Sequence, residues 1–307
     1  MITTICLNPC FDKTAEIDAI QFGQVNRLRN VRMDLGGKGL NVAIVAKRLG
    51  QETECLGIMG EIGSKDFIAM MDREGLQHHF LTIPGRIRTN VKICSRDGTG
   101  VTELNEPGTP VDEEQLGQFM DMARQRTEKS DMVVLTGSLP PGCPTDTYRD
   151  MMAAIGNKKC IVDTEGKALE ACVKAHPFLI KPNLKEMEKT LGIELRTMRA
   201  IRDGALLLIK LGAQHAVISM GAMGAMYVDE TKTLFAPALR VEAKSTVGAG
   251  DAMIGGMLAG YETEGSMEKA FRYGVAAGAA SVMTEGTQLI MKEDFERLLD
   301  QVRIQEV

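Results

Sequence analysis

The clearest chemical signal in the chain is Thr246-Val247-Gly248-Ala249-Gly250-Asp251, which runs straight into an apolar helical pattern over 252–258. Small residues let several backbone N–H groups point at one spot, and a helix N-terminus adds the positive end of its dipole. That combination suits the negative charge that builds on a phosphoryl group in transit. Asp251, at the mouth of such an anion hole, is placed to take the proton of an attacking hydroxyl. A plainer role also fits: an aspartate stabilising a helix start after a glycine turn.

Three further segments set small residues beside polar ones. Leu35-Gly36-Gly37-Lys38-Gly39-Leu40-Asn41 holds a Gly-Lys pair, but it lacks the spacing and the Ser or Thr of a Walker A loop and does not match GxGxxG. It reads either as a close-approach loop gripping a polar, anionic ligand or as a simple strand-to-helix turn. Gly137-Ser138-Leu139-Pro140-Pro141-Gly142 follows an apolar run and offers Ser138 as a ligand contact. No GxSxG elbow surrounds that serine, so a nucleophilic role is disfavoured, and a rigid loop is the alternative. In Lys181-Pro182-Asn183-Leu184-Lys185-Glu186, Asn183 and Glu186 are three apart at a helix start. Such a pair can hold a hydrated magnesium ion through water, or can simply cap the helix. If each of the four segments follows a strand at the ligand end of one sheet, they compose a phosphoryl-transfer site.

The elements that must position them are readable from apolar patterning. Runs over 2–7, 53–59, 132–135, 160–163, 178–180 and 216–219 read as buried strands, with helices at 40–49 (ending at Gly50) and 64–74 and further helical patterns between the later strands. Near-continuous apolar strands alternating with helices predict a mostly parallel sheet covered on both faces. Half-polar segments at 14–18, 30–35, 90–94 and 101–105 do not fit that rhythm and predict a small separate sheet, with Asp97-Gly98 as a hairpin turn.

Composition bounds the function. The chain has 307 residues, 44% apolar and 25% charged, with a net charge of −5. This is ordinary for a globular α/β protein and argues against a nucleic-acid partner, which needs a dense basic face. Seven widely spaced cysteines without a CxxC pair predict neither disulfides nor a cysteine zinc site and fit a reducing cytoplasm. Residues 1–7 are too short for a signal peptide, and no apolar run approaches a membrane span. The four histidines show no metal-ligand spacing, and the methionines fall mostly in apolar runs, as core filling does.

At this point the motifs resemble a known family. Ser245-Thr246-Val247-Gly248-Ala249-Gly250-Asp251-Ala252 and Gly36-Gly37-Lys38-Gly39-Leu40-Asn41-Val42-Ala43 resemble the two signatures of the ribokinase-like PfkB carbohydrate kinases. The segments at 137–142 and 181–183 match in the right order, and the resemblance extends over essentially the whole chain. Leu7-Asn8-Pro9-Cys10-Phe11-Asp12 is similar to the branch that acts on sugar phosphates. The lysine of Gly-Gly-Lys-Gly resembles members acting on fructose 1-phosphate or tagatose 6-phosphate. Arg88-Thr89-Asn90-Val91-Lys92 and Asn105-Glu106-Pro107-Gly108 look most like those acting on fructose 1-phosphate.

The resemblance implies a ribokinase-like three-layer α/β/α fold, one domain over 1–307, with a mostly parallel central sheet and a small β-sheet lid from about 12–35 and 88–107. It implies ATP and Mg2+ as cofactors and phosphorylation of a ketohexose phosphate. Fructose 1-phosphate, giving fructose 1,6-bisphosphate, comes first; tagatose 6-phosphate and fructose 6-phosphate are the alternatives. Asp251 matches the base, with Gly248, Ala249 and Gly250 forming the anion hole. Asp12, Arg27, Gly37, Lys38, Asn41, Arg88 and Ser138 match sugar-phosphate contacts, with Lys38 and Arg88 as the cations for the phosphate. Lys181, Asn183, Ser219, Gly221, Gly224, Thr246, Gly248, Gly250 and Gly286 match the nucleotide side, and Asn183 with Glu186 the magnesium motif, acting through water. The lid implies a homodimer.

Two rival activities and one silent reading compete. A kinase for an unphosphorylated sugar or nucleoside would not need the cations Lys38 and Arg88. A nicotinamide-dependent dehydrogenase would carry GxGxxG after the first strand. A catalytically silent sugar-phosphate sensor would have no need of an intact Asp251 with its glycines.

Overall fold

The computed structural model describes residues 1–97, 100–286 and 288–307; Gly98, Thr99 and Thr287 lie outside the described residues, and with Gly98 half of the expected Asp97-Gly98 turn. Apolar runs such as β1 (Ile2–Cys6) are buried along their whole length, because a helix layer covers each face of the main sheet. The half-polar β2 (Cys10–Ile17) and β3 (Arg29–Gly36) leave that sheet at once. The chain then runs α1 (Lys38–Arg48), β4 (Thr53–Ile62), α2 (Ser64–Arg73), β5 (Gln77–Arg86), β6 (Arg88–Ser95) and β7 (Gly100–Asn105). Next come α3 (Glu113–Arg126), β8 (Met132–Thr136), α4 (Thr147–Ile155), β9 (Lys159–Asp163), α5 (Gly166–Val173), β10 (Leu179–Ile180), α6 (Leu184–Leu191) and α7 (Met198–Leu211). The last third holds β11 (His215–Ser219), β12 (Ala225–Val228), β13 (Thr233–Ala236), α8 (Ala249–Glu264), α9 (Met267–Ser281), α10 (Lys292–Leu299) and β14 (Gln305–Glu306).

The main sheet has the order β14-β13-β12-β11-β10-β9-β8-β1-β4-β5. From β11 to β5 every pairing is parallel, and β12, β13 and β14 add an antiparallel edge. The α/β/α expectation is met, and two strand groups go beyond it. Sequence reading missed β5, an edge strand that meets both cores through Phe80 on one face and Leu81 and Ile83 on the other but is only partly covered and so mixes polar with apolar residues, and the antiparallel edge, whose strands are two to four residues long.

Alternation along each strand sends side chains to two cores. Met132 and Val134 join one with α1, α2, α8, α9 and α10, whereas Val133 and Leu135 join the other with α3 to α7. The second sheet, β3-β2-β6-β7, stands apart as a mixed four-stranded sheet. β2 and β6 are parallel, and β6 and β7 form an antiparallel pair in register from Asn90↔Asn105 to Ser95↔Gly100. Among the described residues no helix is long and apolar enough to cross a membrane.

Candidate active site

The C-terminal ends of β1, β8, β9, β10 and β11 lie on one edge of the main sheet, where ligands of open α/β sheets bind. The loops leaving them bring Asn8, Ser138, Thr164, Lys181 and Ser219 to one cleft of about 1510 Å³. The small sheet closes the other side with Asp12, Arg88, Asn90, Lys92, Glu103 and Asn105. These lid residues are spaced by two, so one face of the pleat looks into the cleft.

The expectation that all four motif segments follow strands of this sheet is corrected for two of them. The Gly-Lys turn follows the lid strand β3, and the segment 246–251 follows an irregular stretch after β13. Helix docking, not a strand end, brings both to the cleft. A Cβ on Gly39 would strike the Ile5 carbonyl at 2.6 Å, so α1 starts directly against β1. A Cβ on Gly255 would lie 2.6 Å from Val45, so α1 and α8 cross in backbone contact. Their N-termini therefore open side by side. Each N-cap is a glycine at positive φ, Gly37 at 118° and Gly248 at 79°, a conformation that side chains oppose.

Lys38 and Asn41 share the first turn of α1 and face the cleft together. Asn41 Nδ2 donates to Asp251 Oδ2 at 2.8 Å across the helix pair. Asp251 is 6% exposed and lines the cleft. Burial pushes its carboxyl up to about 6; Lys38, the Asn41 hydrogen bond and Lys181 pull against that, and Asp163 adds to it. A carboxylate poised near neutrality is suited to general-base work. The amides of Gly250 and Asp251 stand at the helix start, before the helix's own hydrogen bonds begin with Ala252 N–H to the Gly248 carbonyl at 2.8 Å.

Beside this helix start lies a carboxylate that sequence reading did not pick out. Asp163 ends β9, is 1% exposed, and takes Lys38 at 3.1 Å and Lys181 at 3.2 Å. Thr136 Oγ1 also donates to it at 3.2 Å. Burial alone would raise its carboxyl, but the ammoniums of Lys181 and Lys38 outweigh that and hold it at about 2. Lys38 is raised in turn, chiefly by Asp163. Two lysines on one carboxylate leave a net charge of +1, directly over the glycine turn: a Cβ on Gly250 would come 3.0 Å from Lys181 Nζ. The available signal was an apolar strand ending in a single charged residue at the ligand edge.

On the lid side, Arg88 donates to the Asn8 carbonyl at 2.9 and 3.2 Å and to the Glu106 carbonyl at 3.0 Å. Carbonyls orient the guanidinium without neutralising it, so it keeps a full positive charge facing the cleft. Asp12 pairs with Lys92 at 2.6 Å, both side chains being buried. Sequence reading left Lys92 without a role, although the Arg88-x-Asn90-x-Lys92 alternation in a half-polar strand marks it.

Of the other expected site residues, Gly37, Ser138, Asn183, Glu186, Ser219, Gly221, Gly224, Thr246 and Ala249 line the cleft. Arg27 and Gly286 do not. Arg27 is exposed in the stretch between β2 and β3, and Gly286 sits against Arg32 and Thr14 of the lid. Asn183 and Glu186 form a capping box on α6: Glu186 N–H donates to Asn183 Oδ1 at 2.9 Å, and Asn183 N–H to Glu186 Oε2 at 2.8 Å. The capping role is thus realised, and it leaves the second Glu186 oxygen outside the box. Among the described residues no cluster of three His, Cys, Asp or Glu side chains offers a metal cage.

A cleft at the strand ends that holds Lys38, Arg88 and Lys181, a near-neutral carboxylate and a bare helix start are the parts of a phosphoryl-transfer site, and comparison with known proteins agrees. Residues 5–294 match the model of the pfkB family of carbohydrate kinases. The chain is 33% identical over 306 residues to 1-phosphofructokinase of Escherichia coli, covering 99% of this chain and 98% of that one. It is 31% identical to 1-phosphofructokinase of Bacillus subtilis, with 99% of each covered. Phosphofructokinase-2 from Escherichia coli in complex with substrates and products superposes with a TM-score of 0.92 at 27% identity, over 98% of each chain. With its signature residues gathered in one cleft and nearly its whole length matched, the chain belongs to the pfkB carbohydrate kinase family.

Proposed function

We propose that this protein is an ATP-dependent fructose-1-phosphate kinase forming fructose 1,6-bisphosphate, with Asp251 as general base. The observation that carries the reading is Asp251 itself, buried at the start of α8, oriented by Asn41, and facing a cleft that also presents Arg88 and the Lys38–Asp163–Lys181 cluster. A neutral sugar would not need those cations. The relatives named 1-phosphofructokinase, matched from end to end, support the choice of sugar phosphate.

The chemistry follows from the geometry. The sugar phosphate lies between the lid and the α1 start, its phosphate toward Arg88 and Lys38. The nucleotide lies along 219–224 and 238–243, with its γ-phosphate toward the α8 start. As the free sugar hydroxyl bonds to the γ-phosphorus, the bond from that phosphorus to the β–γ bridging oxygen breaks and ADP leaves. The hydroxyl proton passes to Asp251, which later releases it to solvent. The Gly250 and Asp251 amides and Lys181 take up the charge on the moving phosphoryl group. Mg2+ suits the residues present, since it keeps most of its waters and binds chiefly through phosphate oxygens. Glu186 and Asn183 would hold it through water, where it supplies neutralising charge to the phosphates.

The whole chain acts as one kinase domain with an inserted lid. A homodimer through the lid fits the apolar residues on its outer face: Val31, Met33 and Leu104 alternate with the cleft-side positions and are about half exposed. Seven free cysteines fit a reducing cytoplasm. The deciding assay compares kcat/KM for fructose 1-phosphate, tagatose 6-phosphate, fructose 6-phosphate and fructose. Fructose 1-phosphate should lead by at least tenfold; a preference for unphosphorylated fructose would overturn the reading.

A further inference from the structure

The cations of the cleft divide into two kinds. Arg88 is held by neutral carbonyls, and Lys38 with Lys181 shares one carboxylate, so both sets present net positive charge. Lys92 differs: it is matched one to one with Asp12 at 2.6 Å, and the two side chains are 4% and 5% exposed. A neutral pair is a poor receptor for a dianion but a good one for hydroxyls, which both donate and accept.

The surroundings are built to hold this pair in place. Asp12 Oδ1 accepts from Asn90 Nδ2 at 3.3 Å and from the Cys10 thiol at 3.4 Å. Behind it, a Cβ on Gly36 would lie 2.6 Å from the Asp12 carboxyl carbon, so that position leaves room for the carboxylate alone. The register Asp12↔Asn90 between β2 and β6 sets these contacts. Two features remain unmet. Asn90 Oδ1 is a buried acceptor with no partner among the described residues, and Lys92 has Asp12 as its one hydrogen-bond partner there, although an ammonium carries three donors. Both residues line the cleft. A buried ion pair is a weak source of stability compared with apolar packing, so its place on the ligand side of the lid calls for another explanation. An acceptor and spare donors, side by side, match the oxygen and hydrogen of a sugar hydroxyl.

We propose that Lys92 is a specificity-determining residue. It pins the Asp12 carboxylate and, with Asn90 Oδ1, reads a ring hydroxyl of the ketose phosphate, while the phosphate is left to Arg88 and the Lys38 cluster. The inference rests on the sugar-phosphate kinase reading above and adds the group that reads the ring.

The test uses the full-length enzyme with whichever ketose phosphate the wild type turns over best, so a wrong choice among the three sugars overturns only the reading of the substrate. Lys92→Met should raise KM for the sugar phosphate 30- to 100-fold, with kcat within about threefold and KM for ATP unchanged. Lys92→Arg should recover at least a third of the lost kcat/KM. Deoxy analogues, each lacking one ring hydroxyl, separate recognition from mere support. For one analogue the wild-type loss of kcat/KM should shrink to under threefold in Lys92→Met, whereas the others keep their full losses. Because Lys92→Met strands the Asp12 charge, the double variant Asp12→Asn/Lys92→Met, which removes both charges, is measured alongside and should show the same rise in KM and the same missing penalty. The proposal is overturned if KM moves less than threefold, if kcat falls while KM holds, or if every analogue keeps its full loss in both variants.

Discussion

Replacing Asp251 with Asn should abolish turnover and at the same time make the protein more stable. The catalytic half follows from the role proposed for it: loss of a general base removes roughly 10²–10⁴-fold of rate. The stability half follows from its burial. The ordinary carboxyl value of 3.8 is raised to about 6 in the folded protein, first by burial. At 1.36 kcal/mol per pH unit, that gap means the ionised side chain disfavours folding by about 3 kcal/mol at neutral pH. The figure already includes the favourable pull of Lys38, Asn41 and Lys181. Asn keeps the shape, and its Oδ1 can still accept from Asn41.

The sign is set by linkage. A carboxyl whose value is raised on folding binds more protons in the folded state between 3.8 and about 6, so the wild type loses stability relative to Asp251→Asn as pH rises through that window. The difference between the two proteins should be about half developed at pH 5 and complete above pH 7. For 307 residues the unfolding entropy is about 0.6 kcal/mol per kelvin, so 3 kcal/mol corresponds to a rise in Tm of about 5 °C. Thermal and urea melts of both proteins at pH 5, 6, 7 and 8, beside an ATP-turnover assay at saturating substrates, measure all of this. A lower Tm for the variant, an advantage that does not change with pH, or a surviving rate above a tenth of wild type would refute the reasoning.

Asp163→Asn strips the buried Lys181 and the half-exposed Lys38 of their shared counter-charge and should lower stability by about 3–5 kcal/mol, chiefly through Lys181, read from urea midpoints. Since the lysines hold that carboxyl down at about 2, the stability it contributes in the wild type is present above pH 3.8 and is lost as pH falls toward 2. Gly250→Ala places a methyl group 3.0 Å from Lys181 Nζ and should lower kcat about 10- to 100-fold with the fold intact; an unchanged kcat would show that the lysine has no part in the transfer. Val31→Asp with Leu104→Asp places charge on the outer lid face and should turn the proposed dimer into a monomer in sedimentation; a dimer that persists would place the interface elsewhere.

What could be read in the sequence follows from how completely the faces of an element are buried. Ile2–Cys6 and Met132–Thr136 touch a core on both sides and therefore appear as plain apolar runs. Gln77–Arg86 is an edge strand that reaches both cores, through Phe80 and through Leu81 and Ile83, but is only partly covered, and its polar residues hide it. The cleft residues were legible where backbone geometry dictates the residue type, as at Gly37, Gly248 and Gly250, or where capping fixes a spacing, as at Asn183 and Glu186. The charge pairing was not legible. Lys38 meets Asp163 across 125 positions, and Lys92 meets Asp12 across 80, so no local pattern records either contact. Arg27 is exposed and outside the cleft lining of the single chain, and a basic residue near the lid carries no local sign of which way it faces.

That hidden pairing also supports the proposed acid–base roles. Asp163 and Asp251 sit in one cleft, are equally out of water and face the same two lysines, yet their carboxyls settle at about 2 and about 6. The difference lies in contact. Asp163 touches both ammoniums, whereas Asp251 is hydrogen-bonded to a neutral amide and feels the lysines through space, without an ion pair to either. A carboxylate at 2 is a fixed anion that no substrate hydroxyl can protonate, which fits it to hold cations in place. One near 6 is ionised at neutral pH yet close enough to neutrality to accept a proton in the transition state. Moving either lysine onto Asp251 would lower its basicity, and freeing Asp163 would create a second base with nothing to do. The sharing of two lysines by Asp163 therefore does more than anchor them: it leaves Asp251 basic.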